Sequence, residues 1–163
     1  MIRVGLGFDV HPFGGDGPLV LAGVTLPGVG LAGHSDADVI AHSVADSLLG
    51  PVGLPDLGTL YPATDEQLRD ASSIDLLVDV AEQVRGEGWW VVNVDVVVAA
   101  EAPRLAPHLE EMRRNLATAL GSVGDPAGPG THVSVTPKRG EGLGFVGRTE
   151  GIAAWTVALL ELA

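Results

Sequence analysis

Apolar residues recur along this chain with two periods, and the switches between them mark out its elements. Ile2 to Phe8 reads as a first strand, and GGDG at 14–17 is a turn leading at hairpin spacing into a second apolar run, PLVLAGVTLPG. Val39, Ile40, Val44, Leu48 and Leu49 then fall at helical intervals. Ser35 and Asp38 are spaced as a capping box ahead of them, and Gly50 is placed to close the helix. Residues 51–71 show no sustained period, a length that in a compact domain marks a lid or binding loop. Ser72 and Asp75 repeat the capping pattern before a second helix, which carries Ile74, Leu77, Val78, Ala81 and Val84 and ends at Gly86.

In WWVVNVDVVVAA, polar Asn93 and Asp95 alternate with valines, as in a long strand with one face buried. Leu109, Met112, Leu116 and Leu120 predict a third helix closed by Gly121, THVSV predicts a short strand, and a final helix is expected from about Thr149 to the end. The order ββαβαβα points to a single α+β domain over residues 1–163, a two-layer sandwich with helices on one face of an about four-stranded sheet. Such a sheet leaves edges and aliphatic surface to cover, which favours a symmetric oligomer.

Composition sharpens this picture. The chain is 46% hydrophobic but only 4% aromatic, so its core is built from small aliphatic side chains. A net charge of −12 argues against nucleic-acid binding, which needs a basic stripe, and means that an anionic ligand requires local positive charge, such as a metal cation. With no cysteine, disulfides and thiolate ligands are excluded, and any metal must be held by nitrogen and oxygen. No apolar stretch reaches the roughly 20 residues of a membrane span, and the first residues lack the layout of a signal peptide, so a cytoplasmic protein is expected.

The candidate chemistry begins in GFDVH. Asp9 and His11 lie two apart and so share one face of an extended strand. On the first helix Asp38, His42 and Asp46 share a face at i, i+4 and i+8. Asp9, His11 and His42 would form a three-ligand nitrogen and oxygen set with one position open, the pattern of a catalytic zinc. Asp46, one turn from His42, is the expected acceptor for its second N–H. Two histidines and a carboxylate also describe the facial triad of iron oxygenases, but those sit in all-β barrels and this pattern carries about four helices.

GFDVH, HSDADVIAHSVADSLLG, PDLG with YPATD, AEAPRLAPH and GEGLGFVGRTEG together resemble the 2-C-methyl-D-erythritol 2,4-cyclodiphosphate synthases of the non-mevalonate isoprenoid pathway, from about residue 2 to residue 161. The resemblance implies a homotrimer with its sheets around the three-fold axis and active sites between subunits. It implies zinc on Asp9, His11 and His42, and a second divalent cation, Mg2+ or Mn2+, on Glu141. The implied reaction converts 4-diphosphocytidyl-2-C-methyl-D-erythritol 2-phosphate into the cyclic diphosphate and CMP. Catalytic roles fall to His34 and Arg139. Ser35 lies with His34 at the helix start, where an anion is favoured, Asp56, Leu57, Gly58, Tyr61 and Asp65 match the loop that grips the methylerythritol hydroxyls, and Ala100, Pro103, Arg104, Leu105 and Ala106 match the cytidine pocket. Phe145 and Arg148 match positions near the methylerythritol and the trimer axis, where an isoprenoid diphosphate is a further implied ligand.

Three departures stand out. Lys138 and Arg139 replace a Thr-Thr pair whose hydroxyls contact the diphosphate, Ala63 replaces an Asp in the lid, and Arg104 stands where Lys is common. Both cations can neutralise phosphate, Arg139 in bidentate fashion, so retained binding by a different device is expected. The alternative they raise is a trimeric diphosphate-binding homologue without turnover.

Overall fold

The computed structural model describes residues 1–121 and 131–163. Among the described residues seven strands form in chain order: β1 (Ile2–Gly15), β2 (Leu19–Leu21), β3 (Val24–Leu26), β4 (Gly30–Leu31), β5 (Trp89–Ala99), β6 (His132–Lys138) and β7 (Gly151–Leu162). The helices are α1 (Val39–Val52), α2 (Leu57–Leu60), α3 (Ser73–Gly86), α4 (Leu109–Ala119) and α5 (Gly144–Gly147). The main sheet has five strands in the order β4-β1-β7-β5-β6, and β2 and β3 pair separately as a small hairpin. The expected α+β sandwich is thus present, with one more strand in its sheet. The apolar run after GGDG folds on itself as β2 and β3, while β1 takes β4 and β7 as its partners.

The largest correction is at the C-terminus, where the expected helix is the central strand β7. Alanine and leucine favour helix intrinsically, but this segment pairs antiparallel with β1 on one side and β5 on the other. Ile152, Ala154, Thr156, Ala158 and Leu160 point to the buried face, and Trp155 and Val157 alternate onto the opposite one. Tertiary pairing overrides propensity here, and the small residues at 154 and 158 make room for helices packed above them. In β5 the register shifts between Val91 and Asn93, so the buried set changes from Trp89 and Val91 to Val94, Val96 and Val98.

The first helix is capped differently from expectation. Its N-cap is Asp38, not Ser35, and the Asp38 carboxylate accepts from the amides of Ile40 and Ala41 (both 3.1 Å) while also accepting from Ala22 (2.8 Å) and Gly23 (2.7 Å). One fully buried side chain therefore ties the β2–β3 turn to the helix start. The helix runs through Gly50 and Pro51 and closes at Gly53, which adopts the left-handed conformation with φ of 80°. The expected Ser72 cap on α3 is present, as its hydroxyl accepts from the Asp75 amide at 3.3 Å. Residues 51–71 are less irregular than their sequence, since they hold the end of α1, α2, and a 3-10 turn at Glu66–Leu68.

α1 lies directly on β1. A Cβ added at Gly7 would sit 1.8 Å from the Ser43 carbonyl oxygen, and one at Gly5 would sit 1.9 Å from that of Ser47. The contact is extended by a buried hydrogen bond of 2.8 Å between the Ser43 and Thr156 hydroxyls. On the opposite face of the sheet, Ile2, Val4, Leu6, Phe8 and Val10 of β1 are exposed beside Trp155 and Val157 of β7. Among the described residues, no helix is long and apolar enough to cross a membrane.

Because the atoms opposite Gly7 are backbone and cannot rotate away, Gly7→Ala must displace α1. We expect it to destabilise the fold by about 3 kcal/mol, the upper range for overpacking, measured by urea unfolding of the variant beside the parent.

Candidate metal centre and ligand cavities

The inward face of β1 changes character along its length. Gly5 and Gly7 let α1 approach, and the next two residues of that face, Asp9 and His11, bear side chains that meet His42 from α1. Among the described residues these three form the one group of His, Asp or Glu whose ligand atoms converge within 4.8 Å. His11 Nε2 lies 3.0 Å and His42 Nδ1 3.1 Å from Asp9 Oδ2, and the two ring nitrogens are 3.2 Å apart. A tetrahedral ion with bonds of about 2.0–2.1 Å separates its ligand atoms by about 3.3–3.4 Å, so this triangle is close to one face of such a site. The donor set of two imidazoles and one carboxylate suits a divalent cation.

Each histidine is oriented from behind. His11 Nδ1 donates to the Ala32 carbonyl at 2.7 Å, which leaves Nε2 as the nitrogen facing the centre. His42 Nε2 is held by the Ser73 hydroxyl at 2.8 Å and the Ser35 hydroxyl at 3.2 Å. Burial alone would raise the Asp9 carboxyl, but hydrogen bonds and charge from His11 and His42 hold it well below the usual carboxylate range. Burial likewise opposes charge on His11, and the hydrogen bond and charge of Asp9 overcome it, so the imidazole lies above its ordinary value.

Asp46 does not serve His42. Its carboxylate accepts from the Leu57 amide at 2.8 Å, at the start of α2, and burial pushes it up despite that bond. The i, i+4 spacing places it on the correct face, but the backbone amide beyond the helix end wins the carboxylate.

Asp9, His34, Ser35 and His42 line a cavity of about 190 Å3 together with Leu57, Gly58 and Tyr61 from the 51–71 segment. Asp56 and Asp65 stand outside this lining as caps: Asp56 accepts from the Thr59 amide and hydroxyl, and Asp65 from the Gln67 amide. The Tyr61 hydroxyl donates to Asp79 on α3, and burial together with that carboxylate raises the phenol far above its usual value. His34 Nε2 donates to the Asp65 carbonyl at 2.7 Å, tying the loop across the cavity. Ala63 contributes a methyl group to the lining.

A second cavity of about 380 Å3 gathers Ala100, Pro103, Arg104, Leu105 and Ala106 against Lys138 and Arg139, joining two segments the sequence separates. The Arg139 guanidinium pairs with Glu101 at 2.5 Å, and the second Glu101 oxygen accepts the Gly140 amide at 3.0 Å. Glu141 is exposed in the following turn with φ of 51°, apart from the Asp9 group. Phe145 is partly exposed in α5, and Arg148 pairs with Glu150 at 2.8 Å.

The YgbB family model matches residues 2–161. The chain belongs to the YgbB family. It is 54% identical to the 2-C-methyl-D-erythritol 2,4-cyclodiphosphate synthase of Rubrobacter xylanophilus, over 99% of this chain and 96% of that protein. The synthase of Enterococcus faecalis is 46% identical over 99% of both chains. Among solved structures, the bifunctional IspDF of Campylobacter jejuni is similar with a TM-score of 0.90 at 41% identity, covering 100% of this chain and 43% of that one. The CDP complex of IspF from Plasmodium falciparum is similar with a TM-score of 0.81 at 30% identity, covering 99% of this chain and 96% of that one.

Sequence reasoning missed two contributors in this YgbB-family chain, Ser73 behind His42 and Glu101 beside Arg139. Ser73 directly follows the cap Ser72, and nothing in the local pattern distinguishes a side chain that reaches another helix. Glu101 had one available cue: a carboxylate within a segment expected to face phosphate.

His42→Ala removes one of the three converging ligand atoms. We expect an added divalent cation to be lost on dialysis while far-ultraviolet circular dichroism stays that of the parent; cation retained at the parental ratio would overturn the ligand assignment.

Proposed function

We propose that this chain is a metal-dependent 2-C-methyl-D-erythritol 2,4-cyclodiphosphate synthase, and that the observation carrying this reading is the convergence of Asp9, His11 and His42 beside the lid segment. The substrate is 4-diphosphocytidyl-2-C-methyl-D-erythritol 2-phosphate. An oxygen of its 2-phosphate attacks the β-phosphorus, the bond from that phosphorus to the bridging oxygen breaks, and the bridging oxygen leaves with CMP. The nucleophile is already anionic at neutral pH, so no protein base is required, and the barrier lies in bringing anions together in a bent chain.

The chain's residues meet that task by position and charge. Asp9, His11 and His42 would hold a zinc ion and Glu141 a Mg2+ or Mn2+ ion, which would supply Lewis-acid polarisation and a template for the phosphates. His34 and Ser35 line the metal-side cavity, where they pack beside the phosphates. Leu57, Gly58 and Tyr61 close over the sugar alcohol and exclude water. Lys138 and Arg139 neutralise the diphosphate from the second cavity, with Glu101 holding the guanidinium in place. The backbone of 100–106 receives the cytosine.

The two cavities share no lining residue. We infer a homotrimer in which the nucleotide cavity of one subunit completes the metal-side cavity of the next, and the uncovered apolar face of β1 and β7 supports it. Contiguous exposed apolar side chains of this kind mark interaction surfaces. Leu6→Glu introduces a charge on that face. It is expected to convert the trimer to monomers, read by sedimentation velocity, and a parent that sediments as a monomer would rule the assembly out.

Incubation with the diphosphocytidyl substrate, zinc and magnesium tests the reaction. CMP should appear by chromatography in step with the cyclic diphosphate by phosphorus NMR. CDP binding without any CMP formation would instead establish a binding protein, the reading motivated by Lys138 and Arg139.

A further inference from the structure

The Asp36 carboxylate lies in the segment between β4 and α1, and it grips the first residue of α3. Its Oδ2 accepts the Ser73 amide at 3.1 Å, and its Oδ1 accepts both the Ser73 hydroxyl and the Asp38 amide, the latter at 3.2 Å. A carboxylate is an acceptor only, so the hydroxyl proton of Ser73 is committed to Asp36. Ser73 Oγ then faces His42 Nε2 at 2.8 Å with lone pairs alone. The hydrogen bond between them requires the imidazole proton on Nε2, and Nδ1, the nitrogen turned toward Asp9 and His11, is left with its lone pair. The Ser35 hydroxyl, 3.2 Å from both Ser73 Oγ and His42 Nε2, fits the same polarity because it can donate to Ser73.

We propose that Asp36 and Ser73 are positioning residues that fix the tautomer of His42 and thereby set the affinity of the metal centre. This rests on the metal-centre reading above. His11 needs no such relay, because the Ala32 carbonyl fixes its tautomer directly. For His42 the orienting atom is a hydroxyl, which can donate or accept, and the carboxylate behind it decides which. The relay also joins elements distant in sequence, since Asp36 and Ser73 are 37 positions apart and Ser73 is 31 positions from His42. The Asp36 amide donates to the Ala71 carbonyl at 3.1 Å, so the root of the 51–71 segment is anchored to the same group.

The chemistry makes Asp36→Asn an informative change of nearly equal size. The amide oxygen takes the Ser73 N–H, its NH2 group faces Ser73 Oγ, and the hydroxyl proton is released to point at His42 Nε2. That moves the imidazole proton toward Nδ1, the ligating atom. Ser73→Ala removes the orienting atom altogether.

Long-range 15N–1H NMR of the metal-stripped parent, at alkaline pH where imidazoles are neutral, should place the His42 proton on Nε2. Both variants should show Nδ1–H at His42 and bind zinc about 10–100-fold more weakly by competition with a chromophoric chelator, the range typical of lost outer partners. Thermal unfolding of the metal-free forms reports whether the variants fold as the parent does, and the parental tautomer stands as a test even where a variant does not fold. A parental proton on Nδ1, or zinc affinity within twofold of the parent in both folded variants, would overturn the relay and leave the metal centre standing. A parent that binds no zinc would overturn both.

Discussion

The backbone contact between β1 and α1 is the constraint on which the rest depends. A helix normally stands off a sheet by the thickness of two layers of side chains. Here Gly5 and Gly7 remove one layer, and the carbonyls of Ser47 and Ser43 rest on the strand itself. His42 precedes Ser43, and Asp9 and His11 follow Gly7 on the same strand face, so the close approach delivers an imidazole to within reach of two short side chains. With any larger residue at position 7 the three ligand atoms could not form a triangle with sides of 3.0–3.2 Å. The buried Ser43–Thr156 pair and the four amides on Asp38 hold the helix in that position from above and from its end.

Three ligand atoms facing one another at 3.0–3.2 Å are unfavourable unless a proton or a cation lies among them. The fold accepts that arrangement because each partner is constrained from outside: His11 by a carbonyl, His42 by a hydroxyl, and Asp9 by the strand. A divalent cation held there would couple binding to stability, since its charge would satisfy ligand atoms that the folded chain crowds together. The same logic explains why the support comes from the 32–36 and 73 positions, which are far apart in sequence. Local neighbours such as Asp46 are already committed to the backbone amides of adjacent turns.

How much was legible follows from how far each interaction reaches. Strand β1, helices α1 and α3 and the Ser72 cap follow from periodicity and capping, which are local. The ligand set followed from an i, i+2 pair and a helical histidine, though only the fold could bring them together. Strand β7 was misread because Ala-rich sequence favours helix, and its strand state is imposed by β1 and β5 on either side. Asp46 was misassigned because spacing along a helix shows which groups can meet and not which partner outcompetes the rest. Ser73 was invisible because its role depends on α3 crossing behind α1.

The second cavity follows a different balance of charge. In a chain of net charge −12, three of nine Lys and Arg residues, Arg104, Lys138 and Arg139, line one cavity. Glu101 offsets one of them, so the lining keeps two net positive charges (three minus one) in an otherwise acidic surface. A flexible arginine over an open cavity loses rotamer freedom when it grips phosphate, and a guanidinium already held by Glu101 and braced near the Gly140 amide has less to lose. The hydroxyl pair that the resemblance led one to expect at 138 and 139 would contact phosphate as neutral donors at fixed positions. A cation restrained by a carboxylate achieves similar geometry with charge added, and its carboxylate partner repels a phosphate that approaches from the wrong side. Glu101 and Arg139 are therefore best understood as one unit, in which the acid supplies direction and the base supplies attraction.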